Sequence, residues 1–241
     1  MLVIPIVLFL ICLGICRWAT GRFEEMWAQG VKERVPTAHT GAEMAQLFFN
    51  FEGVSDVEIV EHNGVVTNYF DPARRRLFLS REVGQGTTMA AWTVALHEAG
   101  HAVQERDALK DFQWRQSVIK LNRYAPTLAA VLAAGGMILL KFPPRFAMIA
   151  LLALCLSILL LNLGTLSVEF RANASLRRFL EKHLAKWPTA LERIQGYLHR
   201  AATREVGDML RSPRYFLFSA MPGSGSTRPV KKVDETKDDQ S

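Results

Sequence analysis

Residues 94–104 read VALHEAGHAVQ. His97 and His101 stand four apart with Glu98 between them, inside an apolar, alanine-rich run. On a helix, positions i and i+4 share a face, so both imidazoles can reach one ion. Glu98 lies about 100° round the helix, where it can hold a water on that ion rather than bind the ion itself. Neutral imidazole suits zinc, and bound zinc lowers the pKa of its water to about 7. A carboxylate beside that water can take its proton and later return it to a leaving group. The competing reading is a pair of histidines on a helix surface. Ala99 and Gly100 between them, and Val94, Leu96, Ala102 and Val103 around them, instead describe a helix packed on most sides.

A catalytic zinc takes three protein ligands and keeps one position open. The extended pattern HExxHxxGxxH is not met, because Gln104 and Asp107 hold its glycine and third-histidine places. The third ligand must come from elsewhere, and Glu105, His39, His62, Glu181, His183, His199 and Glu205 all exist. Glu169 differs from these by its place: it ends a long apolar block, just where the chain would return toward the HExxH helix. Asn173 follows one helical turn later on the same face and could hydrogen-bond a ligand histidine from behind. An interfacial carboxylate near Arg171 is the plainer reading of Glu169.

The chain has 241 residues, 49% hydrophobic and 22% charged, which excludes global disorder. Much of the apolar content sits in three uncharged blocks, residues 1–16, 125–140 and 146–168. About 20 apolar residues cross a bilayer. The first block lacks a positive n-region and a small-residue cleavage site, and so predicts a retained anchor over residues 1–17. The second and third are joined only by KFPPR (141–145), which predicts a transmembrane hairpin with both flanking segments on one side. Lys plus Arg number 13 in residues 17–124, 2 in 141–145 and 14 in 171–241. The positive-inside rule therefore places both large segments in the cytoplasm. The net charge of +6 fits basic segments facing anionic lipid, and no nucleic acid is needed to explain it. Cys12, Cys16 and Cys155 all fall inside apolar blocks and give no disulfide framework.

Between these blocks, Thr40 and Glu43 form a capping box ahead of a helix over TGAEMAQLFFNF. VSDVEIVEHNG and YFDPARRRLFLS read as short strands around Asn63-Gly64 and Asp71-Pro72. Thr87 or Thr88 caps the HExxH helix, which runs to about Arg106. Residues 107–123 read as helix, a further helix opens at SVEFRANASLRR, Pro188 breaks it, and Thr189 with Glu192 caps another helix toward Leu210. The strand at 76–80 is a candidate to pair with an extended peptide.

VALHEAGHAVQ, YFDPARRRLFLS, TGAEMAQ and SVEFRANASLRR together resemble the YugP-like neutral zinc metallopeptidases of bacterial membranes, over roughly residues 35–180. The order of parts is similar to that of the heat-shock and prenyl-protein membrane proteases, where a transmembrane hairpin separates HExxH from a glutamate ligand. The resemblance implies that His97, His101 and Glu169 bind one Zn²⁺ per chain, that Glu98 is the general base, and that Asn173 supports a ligand histidine. It departs at Tyr69, which stands where the pattern has a histidine, and in the absence of a clean apolar span near the C-terminus.

The expectation is a mainly α membrane protein with a small β-hairpin or sheet, a zincin-like active-site helix and transmembrane helices. Its parts are an anchor over 1–17, a cytoplasmic zincin-like part over 18–124, a transmembrane hairpin over 125–168, a helical part with the third ligand over 169–218, and a disordered tail over 219–241. The function expected is zinc-dependent endopeptidase action on membrane or juxtamembrane proteins at the bacterial inner membrane, with the active site facing the cytoplasm. Tyr197 or His199 is a candidate oxyanion donor. The alternative is an inactive membrane scaffold with a structural or vestigial metal site.

Overall fold

A computed structural model describes residues 3–62, 68–218 and 227–230. The protein is mostly helical, with one small mixed sheet. The contacts divide it into two compact units, and the boundary falls inside a continuous helix, between Phe170 and Arg171.

One unit comprises Met1–Glu25, Lys110–Phe170 and Ala202–Pro222. It contains most of α1 (Val3–Gly30), and α1 continues well past the expected anchor boundary at residue 17. Expected as two segments, residues 107–123 and 125–140 instead form a single helix, given the label α5 below (Leu109–Leu139), with Pro126 inside it. A helix over Pro144–Ser175, α6 below, carries the third apolar block straight through into VEFRANAS without a new start. Among the described residues, two helices are long and apolar enough to cross a membrane, Val3–Gly30 and Pro144–His183. The span expected at 125–140 is not one of them, because the apolar part of its helix is short: it follows Asn122, Arg123 and Tyr124 and ends with the helix at Leu139. After Ala202 the chain tightens into a 3₁₀ segment, Arg204–Arg211, rather than continuing the helix toward Leu210. Val206 and Met209 from that segment pack with Cys12, Cys16, Ala19, Ile158 and Leu159. All three cysteines are free thiols.

The other unit comprises Met26–Leu109, Arg171–Ala201 and Gly223–Ser241. Helix α2 (Gly41–Glu52) opens with the expected capping box: Glu43 N–H donates to Thr40 Oγ1, and Thr40 N–H donates to Glu43 Oε2. It stops at Gly53, whose φ of 70° only a residue without a Cβ adopts at no cost. The chain then lays down β1 (Glu58–His62), β2 (Tyr69–Asp71) and β3 (Arg76–Ser80). The Asn63-Gly64 turn lies outside the described residues. β2 and β3 form an antiparallel hairpin about Asp71-Pro72, in which Asp71 Oδ1 accepts from the N–H groups of Ala73 and Arg74. β1 runs parallel to β3, and β4 (Thr227–Pro229) pairs antiparallel with β1. The strand order is therefore β2-β3-β1-β4. This corrects the expectation for residues 76–80: β3 has a strand on each side and offers no edge to a peptide. β2 is an end strand instead. Apart from β4, the expected tail over 219–241 falls outside the described residues.

Helix α3 (Arg81–Gly84) is a single turn capped by Ser80. Helix α4 (Met89–Asp107) is capped by Thr88, whose Oγ1 accepts from Ala91 N–H. α4 packs against α2 and against the β2-β3 hairpin, with Trp92, Leu96, Phe48, Phe49, Leu77 and Leu79 buried. Trp92 also donates its indole N–H to the His39 carbonyl at 2.8 Å. Beyond α6 come α7 (Arg177–His183) and α8 (Pro188–Ala202). Pro188 opens α8 rather than breaking an earlier helix, as its fixed φ and missing N–H allow at a first helical position. Thr189, expected as a cap, therefore lies within the helix.

Candidate metal centre

The 3.6-residue period places His97, Gly100, His101 and Gln104 on one face of α4. The same period places Glu169, Ala172 and Asn173 on one face of α6. At Gly100 the two backbones come close: a Cβ there would stand 2.7 Å from the Ala172 carbonyl oxygen. Any side chain at position 100 would hold α6 away from the histidines.

At that crossing, Asn173 Oδ1 lies 2.8 Å from His97 Nδ1. The Asn173 amide nitrogen donates to the Leu198 carbonyl on α8 at 2.7 Å. A backbone carbonyl can only accept, so the amide NH₂ must face Leu198 and the amide oxygen must face the imidazole. The oxygen in turn requires a proton on Nδ1, and His97 is held in the tautomer whose acceptor nitrogen is Nε2. His101 is supported from its own helix: Gln104 Oε1 lies 3.0 Å from His101 Nδ1. Each imidazole thus has its Nδ1 committed to an amide oxygen, which makes Nε2 the nitrogen that could ligate a metal.

One turn before Asn173 on α6, Glu169 supplies the carboxylate. Ligand atoms of His97, His101 and Glu169 all lie within 4.8 Å of one another, and all three residues are buried. Two imidazoles and a carboxylate at this spacing match the donor set of a catalytic zinc, so the residues fit the metal. Glu98 is 5% exposed and sits next to His97 in sequence. Glu169 itself accepts from Arg115 Nε on α5 in a fully buried pair.

Most of the other sequence candidates make contacts of their own. Glu105 pairs with Arg75, which also grips Asp56. Glu181 pairs with Arg177, and Glu205 approaches Arg115. His183 Nδ1 lies 3.0 Å from the Phe179 carbonyl. His62 stands on β1 with its ring edge toward Phe78, and burial pushes its pKa below the ordinary imidazole value. Tyr197, one of the two proposed oxyanion donors, gives its hydroxyl to Glu33 at 3.0 Å. Two participants escaped the sequence reading. Gln104 had a usable signal, since it lies three residues after His101 on the same helical face. Arg115 had none, because only the packing of α5 on α6 brings it to Glu169.

A family model described as "Putative neutral zinc metallopeptidase" matches residues 5–217. The curated protein "Putative membrane protease YugP" of Bacillus subtilis (strain 168) is 30% identical over 176 residues, covering 73% of this chain and 76% of that protein. No solved structure matches the chain.

Proposed function

The chain belongs to this neutral zinc metallopeptidase family, and from that membership we propose that it is an integral-membrane endopeptidase in which His97, His101 and Glu169 hold one zinc ion and Glu98 is the general base. The observation that carries the proposal is the grouping of those three buried ligand side chains within 4.8 Å, with His97 already oriented by Asn173.

Zinc, when bound, supplies a Lewis acid for the scissile carbonyl and lowers the pKa of a bound water. The protein's own groups do the rest. Glu98 takes one proton from the attacking water as oxygen adds to the carbonyl carbon. It then delivers that proton to the peptide nitrogen as the C–N bond breaks, so the carboxylate is restored at the end of the cycle. Asn173 and Gln104 fix the imidazoles before substrate arrives. An extended substrate would add as a strand to the outer edge of β2, one of the two end strands of the sheet and one in contact with α4. This arrangement, an active-site helix beneath a small mixed sheet, is the zincin-like organisation proposed for the fold.

Two helices apolar enough to span a bilayer support residence in a membrane. The apolar half of α5 adds to this, because Leu128, Val131, Leu132, Ile138 and Leu139 are all exposed. We assign residues 125–168 to a transmembrane hairpin whose first arm is shorter than the second, with the site on the cytoplasmic side, the orientation that the distribution of Lys and Arg favours. Substrates are then membrane proteins or their juxtamembrane segments.

The test compares wild type and Glu98→Gln, purified in detergent, for zinc per chain and for cleavage of an unstructured membrane-protein substrate. Both should hold one zinc, and the variant should lose about 10²–10⁴ in rate. Equal cleavage by the two would remove Glu98 from the chemistry. Zinc in both with cleavage in neither would favour a scaffold with a structural metal.

A further inference from the structure

We propose that Arg115 is a positioning residue for Glu169: it holds one carboxylate oxygen, so that the acid ligates metal through the other oxygen alone. The inference rests on the metal reading above and concerns how the third ligand is presented.

Arg115 lies on the amphipathic first half of α5, where an arginine would ordinarily face solvent. Instead it is 4% exposed, and Glu169 is 0% exposed. The Nε–H of Arg115 donates to Glu169 Oε1. Its Nη2 lies 4.0 Å from Glu205 Oε1, on the 3₁₀ segment Arg204–Arg211. The guanidinium is therefore held at two points, by carboxylates from two different elements. The hydrogen bond to Glu169 and the charge of Glu205 together favour the orientation in which the planar group faces Glu169.

Charge and geometry agree with the assignment. A buried carboxylate requires a compensating cation while no metal is bound, and Arg115 is the cation in contact with it. An arginine alone beside a metal would repel a divalent ion, but Glu205 offsets this. The two carboxylates and one guanidinium sum to a single negative charge, so the trio still attracts a cation. A carboxylate that binds a metal through both oxygens fills two positions. With Oε1 committed to Arg115, Glu169 takes one position, and the fourth remains for water and substrate, as a catalytic rather than a structural site requires. A pair that only clamped α5 to α6 would change stability when broken and would leave the coordination of the metal unaltered.

The experiment uses the full chain in detergent, loaded with Co²⁺ as a spectroscopic stand-in. Affinity is measured by chelator competition, coordination by visible absorption, and folding by thermal unfolding. Wild type should show four-coordinate bands. Arg115→Met, which removes both donor and charge, should shift the bands toward five-coordination and weaken affinity by about 10–100-fold. Arg115→Lys keeps the charge without the planar donor edge. It should remain folded and show shifted bands with a smaller loss of affinity. Wild-type bands and affinity in folded Arg115→Met would overturn the proposal. If Arg115→Met does not fold, wild-type bands in Arg115→Lys overturn it equally. His101→Ala separates the two levels of inference. If metal uptake by the wild type is absent, or persists unchanged in His101→Ala, the metal reading itself fails and this inference falls with it. If His101→Ala abolishes uptake while the Arg115 variants match wild type, only the role of Arg115 is lost.

Discussion

Asn173 Oδ1 stands 2.8 Å from His97 Nδ1, and the same amide donates its nitrogen to the Leu198 carbonyl. Seventy-six residues separate the two side chains in sequence. One amide thereby sets the histidine tautomer and ties α6 to both α4 and α8.

Replacing Asn173 tests that role. Asn173→Ala removes the acceptor and should weaken zinc affinity by about 10–100-fold in chelator competition, with the fold retained. Asn173→Asp keeps an acceptor oxygen for Nδ1–H but loses the donor to the Leu198 carbonyl, so it should recover only part of the loss. Equal affinities for all three proteins would show that His97 is oriented by other contacts.

Gly100 permits the close approach of the helices that carry the candidate ligands. Gly100→Val places a branched side chain against the Ala172 backbone, where even a Cβ would lie at 2.7 Å. The strain should cost about 1–3 kcal/mol, read as a lower midpoint of thermal unfolding. The spread of the helices should also reduce zinc per chain. A variant with lower stability but full zinc would mean that the site tolerates a wider crossing.

His62 gives the sheet a defined response to pH. It is buried on β1, and burial holds its pKa below the ordinary 6.5. The unfolded chain therefore takes up this proton more readily than the folded one. The contribution of His62 is fully present above pH 6.5 and is lost as pH falls through the depressed folded value. Unfolding measured at pH 7 and pH 5 should show wild type losing more stability on acidification than His62→Gln. Parallel losses would assign the acid sensitivity to other groups.

Trp92 separates packing from hydrogen bonding under the site helix. It is fully buried and donates its indole N–H to the His39 carbonyl. Trp92→Ala should cost about 3–5 kcal/mol through the cavity it leaves. Trp92→Phe keeps most of the ring and loses the donor, so its cost should be nearer 1 kcal/mol. Similar costs for the two, by chemical unfolding, would mean that the hydrogen bond outweighs the packing.

Features whose geometry is local were legible in the chain's residue spacing. A helix fixes what lies three and four residues away. Thr40 with Glu43, Thr88 ahead of α4, and His97 with His101 could therefore be read from spacing alone, and so could the apolar length of residues 146–168. Local signals mislead where they compete with packing. Pro188 reads as a helix breaker and is a helix start, and β3, a candidate to pair with an extended peptide, has β1 parallel beside it instead. Glu169 stood out in the sequence by its place at the end of an apolar block and by family resemblance, but only packing brings it to the two histidines, sets Gln104 behind His101, and closes Arg115 on Glu169 across 54 residues of sequence. The physical reason is that no periodicity spans such separations. Which side chains meet there depends on how closely two helices can approach, and at this site the close approach is permitted by a glycine with no side chain.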